Sequence, residues 1–404
     1  MQNPECVILH PSDRATMDEH SIARTSHKRK ASVTPLEPPL RPNVIGHRAP
    51  YPHNLPHGLV NGCNICPKMS RRIQCSGCRA VHYCCTDHQA LDQVAHQTIC
   101  DRIQRLGKLI GETERELDPL CPWDRDPGYD EAPKDPFGPS NPNFWYWKGT
   151  KKYMYLRRDY AYELIKLNTK TAIDRALDDT WSLLRMDPED HLGMRCIMPS
   201  LFLRLKRDRE CYDFCKWWVT ESHDSDWDWQ SEDTPLTFED AFESADVFER
   251  IRDYGSDPPT FSDLSFLLAI LLLKIRMLSD VKFLQHYRGH DFARYSRSTI
   301  VLTDLWKYDR EGEEYLPFIK ELENQVRRLY RAVGRANRYF WPAFIAPWAH
   351  LSATPLSFTL GDEAEMQIKL QECFNAWMET LGATGPIRDL MEGNDKHWYS
   401  MSGV

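Results

Sequence analysis

Between Cys63 and Cys100 the chain sets eight cysteines and histidines in four short pairs: Cys63-x-x-Cys66, Cys75-x-x-Cys78, Cys84-x-x-x-His88 and His96-x-x-x-Cys100. Thiolate sulfur and imidazole nitrogen are the donors that a tetrahedral zinc ion takes, and a structural site uses four protein donors with no position left for water. Eight donors therefore suffice for two structural zinc ions. Disulfides are the competing use of so many cysteines, but regular paired spacing without a secretory leader reads as metal ligation. Two neighbours fall outside the set. The three-residue gap from Cys84 to His88 suits one helical turn, which favours Cys84 over Cys85, and His82 reads as a surface residue of a hairpin.

The run from Cys63 to Cys100 resembles the MYND zinc finger, including the Tyr83-Cys84 step and Gln89 directly after the sixth ligand. In that family the ligand pairs interleave. The resemblance thus implies Cys63, Cys66, Cys84 and His88 on one zinc, with Cys75, Cys78, His96 and Cys100 on the other. A span of about 40 residues buries too little apolar surface to fold by itself, so metal binding is expected to supply most of its folding free energy. The family commonly carries a tryptophan four residues after the glutamine, where this chain has Gln93. Some relatives bind short proline-containing peptides at that place, so the resemblance implies a peptide site with altered specificity. Upstream, Pro38, Leu40 and Pro42 match the Pro-x-Leu-x-Pro pattern that similar fingers bind. The tail is therefore a candidate ligand for its own finger, tethered by roughly 20 residues with a reach of about 25 Å and an effective concentration near millimolar.

The elements around the finger follow from pattern. Residues 1–58 are rich in proline, serine, histidine and charge, the composition of a disordered tail. Residues 59–117 comprise the finger and a following helix in which Ile103, Leu106, Leu109 and Ile110 recur at helical spacing. Residues 118–143 hold seven prolines and read as a linker. From residue 144 to 404 the period is helical: Tyr153, Leu156, Tyr160, Leu164 and Leu167, then Ala172, Ala176, Leu177, Trp181 and Leu184, ending at Asp187-Pro188. A second pair is expected over 194–205 and 210–219, and two hairpins in succession suggest helical-repeat packing of the tetratricopeptide kind. Ala172 to Pro188 looks like the second helix of such a repeat. Arg204 to Trp218 looks like a segment of multihelical MYND proteins, many of them fungal. The expected fold is mainly α, a small two-zinc finger joined to an all-helical domain.

Composition excludes several classes. The chain has 404 residues and a formal net charge of −8. In the finger Lys68, Arg71, Arg72, Arg79, Arg102 and Arg105 are offset by Asp87, Asp92 and Asp101, so no footprint for a phosphate backbone exists and nucleic acid is not an expected partner. The longest apolar run, Phe266 to Leu273, is too short to cross a bilayer and reads as a buried core helix. The start lacks a signal-peptide pattern, so a reducing compartment is expected, with Cys6, Cys121, Cys196, Cys211, Cys215 and Cys373 as free thiols. The cluster His27-Lys28-Arg29-Lys30 leaves both cytoplasm and nucleus open. Residues 221–243 carry nine acidic residues and no lysine or arginine and read as an exposed loop. Arg327, Arg331, Arg335 and Arg338 read as a basic stripe on one helix, a solvated face or a partner for an acidic segment. Aromatic clusters such as Phe144-Trp145-Tyr146-Trp147 and Phe340-Trp341 are expected to fill gaps between helices.

An enzyme is not expected. MYND fingers also occur inserted in SET-type lysine methyltransferases, but the Gly-rich loop, the Asn-His-x-Cys segment and the tyrosine motif of that catalytic domain have no match here. A zinc ion with four protein ligands cannot activate water. The reading is a protein-binding adaptor, with a transcriptional co-regulator and a ubiquitin-ligase adaptor both fitting. The alternatives are a cryptic methyltransferase and a structural finger that only docks on the helical domain.

Overall fold

A computed structural model describes residues 58–117, 144–146, 149–220, 246–249, 263–286, 296–301 and 315–393. The tail with Pro38, Leu40 and Pro42, Cys6, the basic cluster, the linker with Cys121, Trp147 and the acidic run 221–243 lie outside the described residues. The finger begins with a two-stranded hairpin, β1 (Ile73–Gln74) and β2 (His82–Tyr83), in antiparallel register Ile73 to Tyr83 and Gln74 to His82. Cys85, in extended conformation, immediately precedes α1 (Thr86–Glu116), which runs unbroken through the last three metal-type residues and the helix expected after them.

The helices that follow are α2 (Thr150–Ile165), α3 (Lys170–Met186), α4 (Met198–Arg204) and α5 (Asp208–Thr220). The expected helix over 194–205 is divided: a 3-10 turn at Met194–Cys196 precedes α4. Pro199 sits in the first turn of α4, where its missing N–H costs nothing but where it prevents an α-helix from running in from upstream. Then come α6 (Leu264–His286), α7 (Leu316–Ala336), α8 (Phe340–Ile345), α9 (Trp348–Leu351), α10 (Glu363–Met378) and α11 (Thr384–Glu392). Among the described residues none of these helices is long and apolar enough to cross a membrane.

Phe266 to Leu273 is buried, as the unbroken apolar run predicts, and α6 forms the centre of the helical core against α7. Cys211 and Cys215, one turn apart on α5, are wholly buried and pack rather than ligate. Phe144, Trp145, Phe340 and Trp341 are also buried, Trp145 stacking on His191 at 4.9 Å. The basic stripe needs one correction. The α7 helix stops at Ala336 because Asn337 turns extended, so Arg338 leaves the stripe and lies over Tyr339, while Arg328 occupies the exposed face beside Arg331 and Arg335.

One buried position in α6 has a measurable consequence. Lys274 is fully buried, its Nζ donating to the carbonyl of Val247 and lying 5.1 Å from the Tyr212 ring centroid. Burial lowers its pKa from 10.5 to about 7, against the opposing pull of Glu249, Asp246 and Glu321. Between those two values the unfolded chain binds one more proton than the folded one, so stability rises with pH across that window, by up to about 1.4 kcal/mol per unit. Urea denaturation at pH 7 and pH 9.5 should show wild type gaining more stability than Lys274→Met. Equal gains in the two chains would remove Lys274 as the cause.

The finger and the helices share one continuous buried cluster, from Cys63, Tyr83 and Ile103 to Ile387. Its polar seam is made at the α2–α3 turn. Val60 N donates to the Asn168 carbonyl at 3.2 Å, and Lys170 N donates back to the Val60 carbonyl at 2.8 Å. Thr169 caps α3, its hydroxyl accepting from Ala172 N at 3.2 Å, as a helix N-terminus requires, and the same hydroxyl donates to the Ala80 carbonyl of the finger at 2.6 Å. Asn168 takes positive φ, which its short amide tolerates, and its Oδ1 accepts from Arg204 and Asn375. Arg102 on α1 reaches the buried Glu163 of α2 at 3.0 Å.

Candidate metal centres and the groove beside them

Each metal-type residue comes from a short element that fixes its direction. Cys63 and Cys66 lie in a knuckle closed by Cys63 N donating to the Lys68 carbonyl at 2.9 Å, and a side chain at Gly62 would strike that carbonyl at 2.4 Å. Cys75 and Cys78 lie in a second knuckle, closed by Arg79 N on the Cys75 carbonyl at 3.0 Å with Arg79 at positive φ. There Gly77 has no room for a Cβ, which would sit 2.6 Å from Cys100 Sγ. On α1, His88, His96 and Cys100 fall on one face because they are separated by multiples of four residues.

These elements bring the eight residues into two tetrads, Cys63, Cys66, Cys84 and His88 in one, and Cys75, Cys78, His96 and Cys100 in the other. This is the interleaved order that the resemblance implies. In the first, Cys66 Sγ and Cys84 Sγ are 3.7 Å apart, and His88 Nδ1 lies 3.4 Å from Cys63 Sγ and 3.1 Å from Cys84 Sγ. In the second, Cys75 Sγ and Cys100 Sγ are 3.6 Å apart, and His96 Nε2 lies 3.3 Å and 3.5 Å from Cys75 Sγ and Cys78 Sγ. A zinc ion at about 2.3 Å from each sulfur requires sulfur edges of about 3.8 Å, so both tetrads have the size of a zinc tetrahedron. The two histidines face their sulfurs through different nitrogens, Nδ1 for His88 and Nε2 for His96. Cys85 and His82 belong to neither tetrad.

The charge of the donor set also fits a dication. Burial together with the Cys75 and Cys100 thiols pushes the Cys78 thiol up to about 12, against a backbone N–H at Ala80. At Cys63 burial is outweighed by the N–H groups of Ile65, Cys84 and Cys66, which bring the thiol down to about 6. A group of thiolates that burial resists is what a zinc ion stabilises, and ligation deprotonates the sulfur. When bound, zinc here supplies cross-links between knuckle, hairpin and helix. Replacing Cys84 by Ser should therefore reduce metal content from two ions to one per chain, while Cys85→Ser keeps two. Metal analysis of the purified full chain reads this, and loss of zinc on Cys85→Ser would overturn the choice between the two.

One residue of the site, counted in the sequence only for its charge, has a structural part. Asp92 is 1 % exposed and accepts from Asn64 Nδ2 at 2.7 Å and from Tyr83 OH at 2.8 Å. It therefore ties the first knuckle and the hairpin to α1. The signal was available: Asp92 continues the four-residue ladder His88, Asp92, His96, Cys100, which is the buried face of the helix.

The adjacent ladder, Gln89, Gln93 and Gln97, faces outward. With Thr86, Tyr83 and three residues of the second tetrad, Cys75, His96 and Cys100, it lines an open cleft of about 420 Å³ that takes in the edge of that tetrad. The second knuckle is instead held by the helical domain, since Arg175 of α3 donates to the Cys78 carbonyl at 2.6 Å and Thr169 to that of Ala80. The finger is thus docked through Cys78 and Ala80 and open along the glutamine ladder.

Residues 63–100 match the MYND finger family. Over 38 residues the chain is 42% identical to human Egl nine homolog 1, a match covering 9% of this chain and 9% of that protein. No solved structure matches the chain. The finger is a two-zinc, protein-interaction module of the MYND type.

Proposed function

We propose that this protein is a binding adaptor, not an enzyme, in which the helical domain holds the finger by one side and leaves the glutamine-lined cleft to receive a short extended peptide from a protein partner. The observation that carries this reading is the one-sided docking: the Ala80 and Cys78 carbonyls are engaged by α3, while Gln89, Gln93 and Gln97 still line an open cleft. A purely structural finger would have no need of the open side. An extended segment can take its affinity from main-chain pairing and its selectivity from the side chains that line the groove. Such an adaptor suits a transcriptional co-regulator and a ubiquitin-ligase adaptor alike, in nucleus or cytoplasm.

The first peptide to try is the chain's own Thr34 to Val44, because it contains Pro38, Leu40 and Pro42. The finger shares its core with α2 and α3, so the test uses the full chain. Calorimetric titration of that peptide into a Pro38→Ala, Leu40→Ala, Pro42→Ala chain should give saturable binding, weaker in wild type where the tail competes and weaker again with Gln89→Ala and Gln93→Ala. No heat in any of these chains removes the tail as a ligand. Retained affinity in the glutamine variant moves the binding site away from the cleft. A cofactor titration with S-adenosylmethionine separates the methyltransferase alternative, for which no binding is expected.

A further inference from the structure

The outer face of α7 is built for anions. The helix buries Leu322, Val326, Leu329 and Val333, and turns Arg328 and Arg331 to solvent with Arg327 half-buried beside them. With Glu321, Asn324 and Gln325 these arginines line a groove of about 450 Å³. Guanidinium groups in a concave face take carboxylates through paired N–H donors and also lie over tryptophan rings.

The chain arrives at this groove twice. Lys216, one turn before α5 ends at Thr220, meets Glu249 at 2.7 Å, and the Tyr212 hydroxyl donates to the same carboxylate at 2.6 Å. The backbone carbonyl of Glu249 accepts from Gln325 Nε2, a lining residue of the groove, at 3.1 Å, and Phe248 packs edge-on to Phe318 of α7 at 5.6 Å. The stretch between Thr220 and Asp246 therefore begins and ends within a few residues of contacts to Glu249, which is bonded to Gln325 of the groove. In sequence that stretch carries nine acidic residues, no lysine or arginine, and Trp227 and Trp229 among the acids.

We propose that the arginine groove of α7 is an acidic-peptide site and that its occupant is the chain's own segment 221–245. Charge complementarity and tryptophans beside the acids match the groove's chemistry. Tethering at both ends gives the segment an effective concentration on the order of millimolar, which a free acidic peptide must exceed to enter. Salt weakens such pairing, because exposed charges are screened beyond about 8 Å at physiological ionic strength.

The test is a titration of a fluorescein-labelled peptide of residues 221–245 into the full chain. Wild type should bind it at least about tenfold more weakly than a chain whose nine acids in that segment are changed to Asn or Gln, because the tethered copy no longer competes. Adding Arg328→Gln and Arg331→Gln to the neutralised chain should abolish the gain. Equal affinity of wild type and the neutralised chain shows an open groove and overturns the proposal, as does absence of saturable binding to the neutralised chain. Should that chain misfold, hydrogen exchange decides. The Arg328→Gln, Arg331→Gln protein, altered only at exposed positions, should exchange faster than wild type across 221–245, and equal exchange overturns the assignment.

Discussion

Chelating zinc from the full chain should unfold the finger and loosen α2 and α3 with it. Structural zinc contributes on the order of 10 kcal/mol or more per ion in small finger peptides, as much as the whole net stability of a domain. Here the two tetrads draw on both knuckles, on Cys84 just before α1 and on three residues of α1 itself, so without metal the first half of that helix loses its anchors. The damage spreads because the finger supplies acceptors to the next element. The Thr169 hydroxyl and the Arg175 guanidinium lose the Ala80 and Cys78 carbonyls, and Asn168 and Lys170 lose the bridge to Val60. Glu163, buried under Arg102, loses part of its cation shell and keeps Lys166 at 2.9 Å. Hydrogen exchange with and without chelator should show residues 58–100 unprotected, α2 and α3 exchanging faster, and α6 unchanged. Persisting protection of 86–100 after metal content has reached zero would falsify the view that zinc holds the finger together.

Asp208→Ala should destabilise the helical domain by about 3–5 kcal/mol, the cost of leaving a buried charge without its partner. Arg276 of α6 is 4 % exposed and Asp208 is 0 % exposed. Arg276 Nη1 donates to Asp208 Oδ1 at 2.8 Å and to the Leu203 carbonyl at 3.0 Å, while its Nε and Nη2 donate to Thr380 Oγ1 at 2.9 Å and 2.7 Å. The other carboxylate oxygen accepts from Thr299 N at 3.0 Å. One guanidinium thus joins the end of α4, the start of α5 and the residues after α10. Removing the carboxylate leaves the cation in the core with its neutral acceptors alone. Replacing both members by apolar residues, Asp208→Leu with Arg276→Met, should recover much of the loss, since a buried pair in an apolar core seldom outperforms good packing. Urea denaturation of the two single variants and the double gives the coupling directly. A loss below about 1 kcal/mol for Asp208→Ala would mean that water reaches the pair.

Much of the helical architecture could be read along the chain because amphipathic periodicity is local. The α2 and α3 stripes, the stop at Asp187-Pro188 and the buried α6 run each arise from residues within two or three turns of one another. The divided helix before α4 and the loss of Arg338 from the stripe show where periodicity misleads. A pattern of apolar or basic spacing continues through residues whose backbone has already turned, at Pro199 in one case and Asn337 in the other.

The sequence by itself determined the metal chemistry. Sulfur and imidazole nitrogen in pairs three and four residues apart are short-range facts, and only a few cations satisfy them, so eight ligand candidates stand out before any fold is known. It did not single out the two ladders of α1, His88, Asp92, His96 and Cys100 facing the metals and Gln89, Gln93 and Gln97 beside it. Only the tertiary structure decided what those ladders meet: that Asp92 is buried between Asn64 and Tyr83, that the Cys78 knuckle of the finger is held by α3, and that the glutamine ladder is open. It alone paired Arg276 with partners 68 and 104 residues away. The reason is physical: coordination and periodicity are written in neighbouring residues, whereas burial and charge pairing depend on which distant surfaces exclude water from each other.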